Sequence, residues 1–351
     1  MDLEDLIKKI GIKSSTKINE ALDIYIKDSQ NKARLEILLS EFLRITSDKS
    51  AHTFTQLASH KEIGSYYNYL DKNINNSDFD LAGVTQLTGN AQLYKIIGSD
   101  ENTNSKFGLF SSTLINKNIK GGEKVQIITL IPLHFLFYKL KDAEAYVNIA
   151  GEYLGYKSKN SKIYADEVGG NAGYNMQNCE LHVKKAGDVL VDVSKNSKIY
   201  AEEAGDFVGD SIDSCELHVK KAGDYIGYKS KNSRIYAEEA GDYAGSYMRD
   251  CELHVKKAGN FLGSGANNSK IYAEEAGINA GYNMKNSELF IYKLDGYLAD
   301  SCFRRNNEVY LGKESYNKFI QNYPKYINTV KLWKKQKQNV DVFSGDYYGS
   351  K

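Results

Sequence analysis

The chain has 351 residues, with 46 Lys plus Arg against 45 Asp plus Glu and a formal net charge of +1, so no global field draws it to nucleic acid or to an anionic membrane. Its length suits one large domain or two modest ones. Only two prolines interrupt the backbone, which favours long ordered runs.

The start, Met1-Asp-Leu-Glu-Asp, is acidic and leads into an amphipathic helix, which reads as a soluble, cytoplasmic chain without a signal peptide. Residues 1–87 are predicted to form an α-helical N-terminal region. Leu35, Leu38, Leu39 and Phe42 make one apolar stripe, and a second helix is predicted over Ala51–Lys72. Residues 1–74 hold eleven basic and eleven acidic side chains, which argues against a nucleic-acid headpiece. The lone His52, His60 and His134 read as surface or core residues. Residues 88–141 read as irregular capping coils, because Asn90-Ala-Gln-Leu-Tyr-Lys-Ile-Ile-Gly98 nearly repeats the unit described next. Within them the apolar run Val125–Leu140 contains Gln126, Pro132 and His134, is too short to cross a bilayer, and reads as buried strand.

From Asp142 to Phe303 the sequence repeats nine times every 18 residues without insertion or deletion. A short unit of fixed length stacks on copies of itself. With Asn196 as position one, position four is Ile or Leu (Ile199, Leu217, Ile235, Leu253) and position six is Ala or Val (Ala201, Val219, Ala237, Val255). With the small residue at position two, this is the period-two alternation of a strand. Glycines at position ten (Gly205, Gly223, Gly241) and position fourteen (Gly209, Gly227, Gly245) mark corners, made by positive φ or by close backbone approach. Short strands joined by glycine corners give a parallel β-helix with one unit per coil.

The charges test that inference. Positions seven and eight alternate in sign (Glu202-Glu203, Lys220-Lys221, Glu238-Glu239, Lys256-Lys257), and position three alternates in the opposite sense (Lys198, Glu216, Arg234, Glu252). In an 18-residue coil each charge lies about 4.8 Å from opposite charges above and below. A 36-residue coil would stack like on like. Cys179, Cys215 and Cys251 recur every 36 residues at position two, where serine fills the coils between. With Cys302 they read as buried thiols that fill core space, because coils two apart are too distant for a disulfide or a shared zinc. The paired volumes at positions four and six predict a filled interior without an internal ligand.

The string Ala240-Gly-Asp-Tyr-Ala-Gly-Ser-Tyr-Met248, followed by Glu252-Leu-His-Val, resembles the GXGXG (G-x-x-G-x-x-x-G) repeat of the glutamate synthase large subunit's C-terminal domain. One component of the formylmethanofuran dehydrogenase complex carries a similar repeat. The match covers 142–303 and places the last two glycines of the motif at Gly205 and Gly209, Gly223 and Gly227, or Gly241 and Gly245. Charge replaces the first glycine, as at Glu202, Lys220 and Glu238. The resemblance implies a right-handed, single-stranded parallel β-helix without catalytic residues of its own. The expected fold is thus mainly β, with nine regular coils, one to three irregular N-terminal coils and a C-terminal capping helix.

Position five forms an outward ladder: Tyr164, His182, Tyr200, His218, Tyr236, His254 and Tyr272. It reads as structural ring stacking, as a surface for a partner or a sugar, or as acid–base chemistry. A uniform ladder offers no single asymmetric place, so no catalytic, metal or cofactor residue is assigned. The C-terminal segment 304–351 carries ten basic and four acidic residues. Phe319, Tyr323, Tyr326, Val330 and Trp333 fall at helical spacing, broken by Pro324. They predict a cap, or a basic docking tail at Lys331, Trp333, Lys334, Lys335 and Lys337 for an acidic partner or RNA. The expected function is a non-catalytic scaffold or protein-interaction module, without a cofactor, that binds a protein partner or a second copy of itself. The alternatives are an enzyme-associated domain of an amidotransferase or one-carbon complex, and a carbohydrate-binding face on the Tyr/His ladder.

Overall fold

A computed structural model describes residues 29–47, 59–74, 80–90, 94 and 100–334. Among these, four helices come first: α1 (Ser29–Ser47), α2 (His60–Asn73), α3 (Leu81–Thr88) and α4 (Glu101–Asn118). The strands follow as β1 (Lys124–Ile127), β2 (Glu144–Ala150), β3 (Lys162–Val168), β4 (Glu180–Ala186), β5 (Lys198–Ala204) and β6 (Glu216–Ala222). They continue as β7 (Arg234–Ala240), β8 (Glu252–Ala258), β9 (Lys270–Ala276), β10 (Glu288–Leu294) and β11 (Glu308–Leu311). Helix α5 (Lys313–Asn322) and β12 (Val330–Leu332) end the described chain. All twelve strands lie in one parallel sheet in chain order, which makes the protein a β-solenoid. Two compact units are distinguished, one ending at Gly169 and one beginning at Gly170. Among the described residues no helix is long and apolar enough to cross a membrane.

In the first unit, side-chain caps start the helices. Ser59 and Glu62 form a capping box on α2, and Asp80 and Asp100 accept the third backbone N–H of α3 and α4. The predicted stripe on α1 buries Leu38 and Phe42, and the Phe42 ring meets Phe107 and Phe110 of α4 at 5.1 and 5.4 Å. The second predicted helix starts at His60, and residues 51–58 lie outside the described residues.

The expectation of coils across 88–141 fails at α4, which is a capping helix. The near-repeat at 90–98 falls largely outside the described residues. Helix α4 lies so close to the first coil that a Cβ on Gly108 would come within 1.8 Å of the His134 carbonyl oxygen. Its polar side chains close the open backbone of that coil. Asn104 donates to the Pro132 carbonyl, Ser112 to that of Phe135 and Asn116 to that of Tyr138, while the His134 N–H donates to Asn104. An uncovered end would leave these groups unpaired. Of the apolar run 125–140, only residues up to Ile127 are strand. Phe135, Phe137 and Lys139 take positive φ (58°, 60° and 55°) and turn the chain.

The regular coils hold the predicted register. Glu216 pairs with Lys198 and with Arg234, and Leu217 with Ile199 and Ile235, so each residue lies against its counterpart 18 places away. Positions four and six are buried in every regular coil. The charge ladders are in place, with Lys256 Nζ 3.1 Å from Glu238 and Lys270 Nζ 3.2 Å from Glu288. Exposed pairs of this kind contribute ~0–1 kcal/mol each, so their main effect is to penalise a one-coil slip. Position two is more than filler: Ser197 and Ser233 accept the backbone N–H of Cys179 and Cys215 and donate to the carbonyls of Lys195 and Lys231. All four cysteines are buried thiols, and burial raises the Cys215 and Cys251 thiols to about 11.

The two glycine columns do different jobs. Position fourteen turns through positive φ, as at Gly227 (71°) and Gly245 (68°). Position ten is required by close approach, because the Asp or Asn at position eleven of the coil before sits beneath it. Asp188 Oδ1 accepts the Asp206 N–H at 2.9 Å, Asp206 that of Asp224 at 2.8 Å and Asp224 that of Asp242 at 2.7 Å. A Cβ on Gly205 would come within 1.9 Å of Asp188 Oδ1. In the first unit His134 takes the same place, its Nδ1 accepting the Glu152 N–H beneath Gly151 at 3.0 Å.

At the C-terminal end the helical stripe is only partly realised. Helix α5 stops at Asn322, and Val330 and Trp333 lie on and just after β12. There the Trp333 N–H donates to the Leu311 carbonyl and the indole packs 5.6 Å from Phe290. Helix α5 is a cap as expected: its Ser315 hydroxyl accepts the Leu294 N–H, and its Phe319 is buried.

Replacing Gly205 with Ala should destabilise the protein by ~1–3 kcal/mol, the usual cost of forcing atoms into packed space. The urea midpoint reads this directly, and an unchanged midpoint would mean that the Asp188 carboxylate swings aside without loss.

Candidate functional site

The Tyr/His ladder is a continuous stack in the second unit. Ring centroids are 4.6 Å apart for His182–Tyr200, 5.1 Å for Tyr200–His218 and 4.7 Å for His218–Tyr236, with planes within 21°. The stack runs on through His254 and Tyr272 to Phe290 and Tyr310. In the first unit Tyr146 and Tyr164 stack at 4.6 Å. His182, Tyr200 and His218 are buried, and Tyr164, Tyr236, His254 and Tyr272 half-buried. Each imidazole is held alike. Nε2 of His182, His218 and His254 lies 2.6–2.7 Å from the Glu two residues earlier on the same strand. Ring faces are therefore covered by neighbouring rings, which leaves only ring edges for a ligand or partner.

A second ladder, at position twelve, escapes the sequence reading. Phe207, Tyr225, Tyr243 and Phe261 stack at 4.7–4.8 Å with planes within 3°. All four have φ between 57° and 62°, so stacking accompanies a backbone conformation that large side chains rarely adopt.

Regularity breaks down where positions sixteen and eighteen of five successive coils line a groove of about 810 Å³. Position eighteen contributes Lys195, Asp213, Lys231, Arg249 and Asn267, each bridged to the next in parallel. Position sixteen contributes Val193, Ser211, Lys229, Tyr247 and Gly265. Four cations thus face one carboxylate. Asp213 is held below the usual carboxylate range, chiefly by the hydrogen bond from Asn232, with Lys195 and Lys231 adding their charge. Tyr247 is 59% exposed, and its ring lies over Gly265, where a Cβ would come within 2.8 Å of it. Tyr228 meets Tyr247 edge-on at 5.8 Å, and Lys229 Nζ sits 4.7 Å from the Tyr228 ring centre.

Beside the groove, position fifteen places Asp192 and Asp210 on adjacent coils, between Tyr174 and Tyr228 in the sequence column. Burial, followed by the charge of Asp210, pushes the Asp192 carboxyl up to about 6. The position-fifteen column, Tyr174, Asp192, Asp210, Tyr228, Ser246 and Ser264, carries no consensus, and that irregularity was the available signal.

The basic tail is only partly described. Lys331 Nζ pairs with Glu308 at 2.9 Å and lies over the Tyr310 ring, Trp333 is half-buried and Lys334 exposed. Lys335 and Lys337 lie outside the described residues. Among the described residues no three His, Cys, Asp or Glu side chains are grouped to hold a metal ion. Among known proteins, no family model, no curated protein and no solved structure matches the chain.

The raised Asp192 carboxyl carries a pH signature. Below about pH 4 it is protonated in folded and unfolded chains alike; as pH rises to about 6 the unfolded chain ionises first, so folding loses stability across that window and the deficit persists above it. Asp192→Asn should therefore stabilise the protein at pH 8 by ~1 kcal/mol, a value kept small because water screens a half-buried carboxyl, and leave it unchanged at pH 3.5. Thermal melts at the two pH values test this, and an equal effect at both would exclude the carboxyl as the cause.

Proposed function

We propose that the chain is a non-catalytic β-solenoid interaction module whose groove receives an extended acidic segment of a protein partner. The observation that carries this reading is the set of Lys195, Lys229, Lys231 and Arg249, on three of the five successive coils that line the groove, opposed in its lining by Asp213 alone. Four coil steps of about 4.8 Å make a track of roughly 19 Å, the length of about six residues of extended chain. Cations along such a track speed encounter and select against basic partners more than they add raw affinity. Tyr247, exposed and fixed over Gly265, supplies the aromatic anchor on which interface energy concentrates.

The Tyr/His ladder supports a structural part in the same reading. Its imidazoles are engaged identically by Glu180, Glu216 and Glu252, which gives none of them a distinct chemical task. The exposed Lys334 adds a cation at the C-terminal end, where Lys331 is taken up by Glu308. The resemblance to the β-helices of glutamate synthase and formylmethanofuran dehydrogenase fits an accessory role beside an enzyme, as a special case of the module.

Lys231→Glu combined with Arg249→Glu should abolish recovery of a stoichiometric partner from native cells while leaving the melting temperature within a few degrees of the parent's, since both side chains are on the surface. Binding by the parent chain should also weaken as salt rises from 50 to 500 mM, given a screening length of ~10 Å at 0.1 M. Equal recovery by parent and variant, or a partner held independently of salt, would overturn the groove as the docking surface.

A further inference from the structure

We propose that the cavity between the last regular coils and the C-terminal cap binds a neutral saccharide. This is a second site within the second unit, with its own lining residues, and it begins one coil beyond the basic groove, where the Gly265 N–H donates to the Tyr282 carbonyl at 2.7 Å. Its volume is about 540 Å³, within the range of small-ligand sites (~300–1,000 Å³).

Three tyrosines that line it, Tyr282, Tyr297 and Tyr323, are 45%, 44% and 40% exposed. Large rings left open to water around one concavity are costly unless something covers them. They come from separate parts of the fold: Tyr282 from the coil containing β9, Tyr297 from the coil containing β10 and Tyr323 from the end of α5. Phe319 packs against Tyr323 at 5.0 Å with the rings tilted by 37°, and Tyr326 stacks on Phe303 at 4.1 Å, so the aromatic wall is held by neighbouring rings.

The polar lining is of the kind that recognises hydroxyl groups. Asn279 and Asn283 each offer a paired carbonyl acceptor and amide donor, Ser301 a hydroxyl and Arg304 a planar donor fork. Backbone contacts fix these positions. The Asn279 N–H donates to the Tyr297 carbonyl at 2.8 Å, and the Asn283 N–H to the Ser301 hydroxyl at 2.8 Å. The Asp300 carboxylate is oriented by the Tyr326 hydroxyl at 2.8 Å.

Formal charge selects the ligand class. Among the described residues Arg304 and Asp300 are the charged side chains of the lining and cancel each other, while Lys325 at the margin is engaged with Tyr326, 4.6 Å from its ring centre. A phosphate-bearing or strongly acidic ligand would want surplus cations in the lining, which the basic groove has and this cavity lacks. A pyranose offers what the cavity complements: a C–H face for the tyrosine rings and vicinal hydroxyls for the amides and the guanidinium.

The test uses the full chain and saturation-transfer NMR with the neutral hexaoses of glucose, mannose, galactose and N-acetylglucosamine, alongside a hexagalacturonate. At least one neutral hexaose should receive saturation at its ring C–H protons. Tyr297→Ala or Tyr323→Ala should weaken binding by about tenfold, the loss expected for one stacked ring. Tyr292→Ala, an equally exposed tyrosine outside the cavity, should leave binding unchanged, as should Lys231→Glu with Arg249→Glu. Far-UV circular dichroism confirms that each variant retains its sheet. Silence with all four neutral probes, preference for the uronate, or transfer that survives Tyr297→Ala and Tyr323→Ala would overturn the assignment.

Discussion

Each residue of a regular coil rests on its own counterpart 18 places away, and this self-stacking is the constraint on which the rest of the structure depends. Whatever a coil presents must tolerate a copy of itself about 4.8 Å distant. Apolar residues satisfy that at once. Charges satisfy it only by alternating, as Lys198, Glu216 and Arg234 do across β5, β6 and β7. Rings satisfy it by lying parallel, as in the ladders through Tyr200 and Tyr225. Carboxylates of one sign can stack only if each finds a donor from the next coil. The Asp188–Asp206–Asp224–Asp242 column does this through backbone N–H groups, under glycines whose missing Cβ makes the space. The Gly-Asp corner thus joins sequence to geometry: one residue yields the room and the next uses it.

That constraint also explains which features could be read from the sequence. Anything repeated by the stacking was visible as repetition: the inward Ile/Leu and Ala/Val positions, the 18-residue register and the alternating charges. Features that end the repetition were visible only in part: the C-terminal capping helix was expected, and the capping role of α4 was not. Helix α4 is buried around most of its circumference, from Lys106 to Ile115, so it shows no one-sided stripe. Its capping residues Asn104, Ser112 and Asn116 look like ordinary polar positions until the carbonyls of the first coil are placed beside them. At the other end, Val330 and Trp333 keep helical spacing with Phe319, but the open edge of β11 offers the Leu311 carbonyl and draws the chain into one more strand. A free sheet edge outweighed periodicity. Glycine illustrates a further limit, since sequence marks both glycine columns equally while only geometry separates positive φ at Gly227 from close approach at Gly205.

Candidate binding features arise where copies differ. A consensus drawn over nine coils averages away positions fifteen, sixteen and eighteen, and those positions build the basic groove and its margin. It also hides Tyr297 and Asp300, whose coil is the least regular of the nine and which line the cavity at the cap. The Tyr/His ladder, conspicuous in sequence because it repeats, is occupied by its own neighbours. In a solenoid, conspicuous repetition marks what holds the coils together, and departures from it mark what is left for other molecules.

One coil concentrates such departures. In the coil that contains β4, Val191 stands where most other coils have glycine at position fourteen, and Val189, Val191 and Val193 have φ of 60°, 61° and 46°. Branched side chains avoid this region, because the second Cβ substituent crowds the backbone. The next residue after Val191 is Asp192, which stacks toward Asp210 in a partly desolvated position, and Val193 and Lys195 begin the basic groove. Positive φ at branched residues, a raised carboxyl and the first cation of the groove therefore fall between Val189 and Lys195, and among the described residues no other coil places a β-branched side chain at positive φ. Unfavourable local terms persist only where surrounding structure over-determines them, and the coil above supplies that support through Val189 N–H to the Asp206 carbonyl and Val193 N–H to the Asp210 carbonyl. Uniform stacking is what allows one coil to carry a conformation that an isolated turn could not hold.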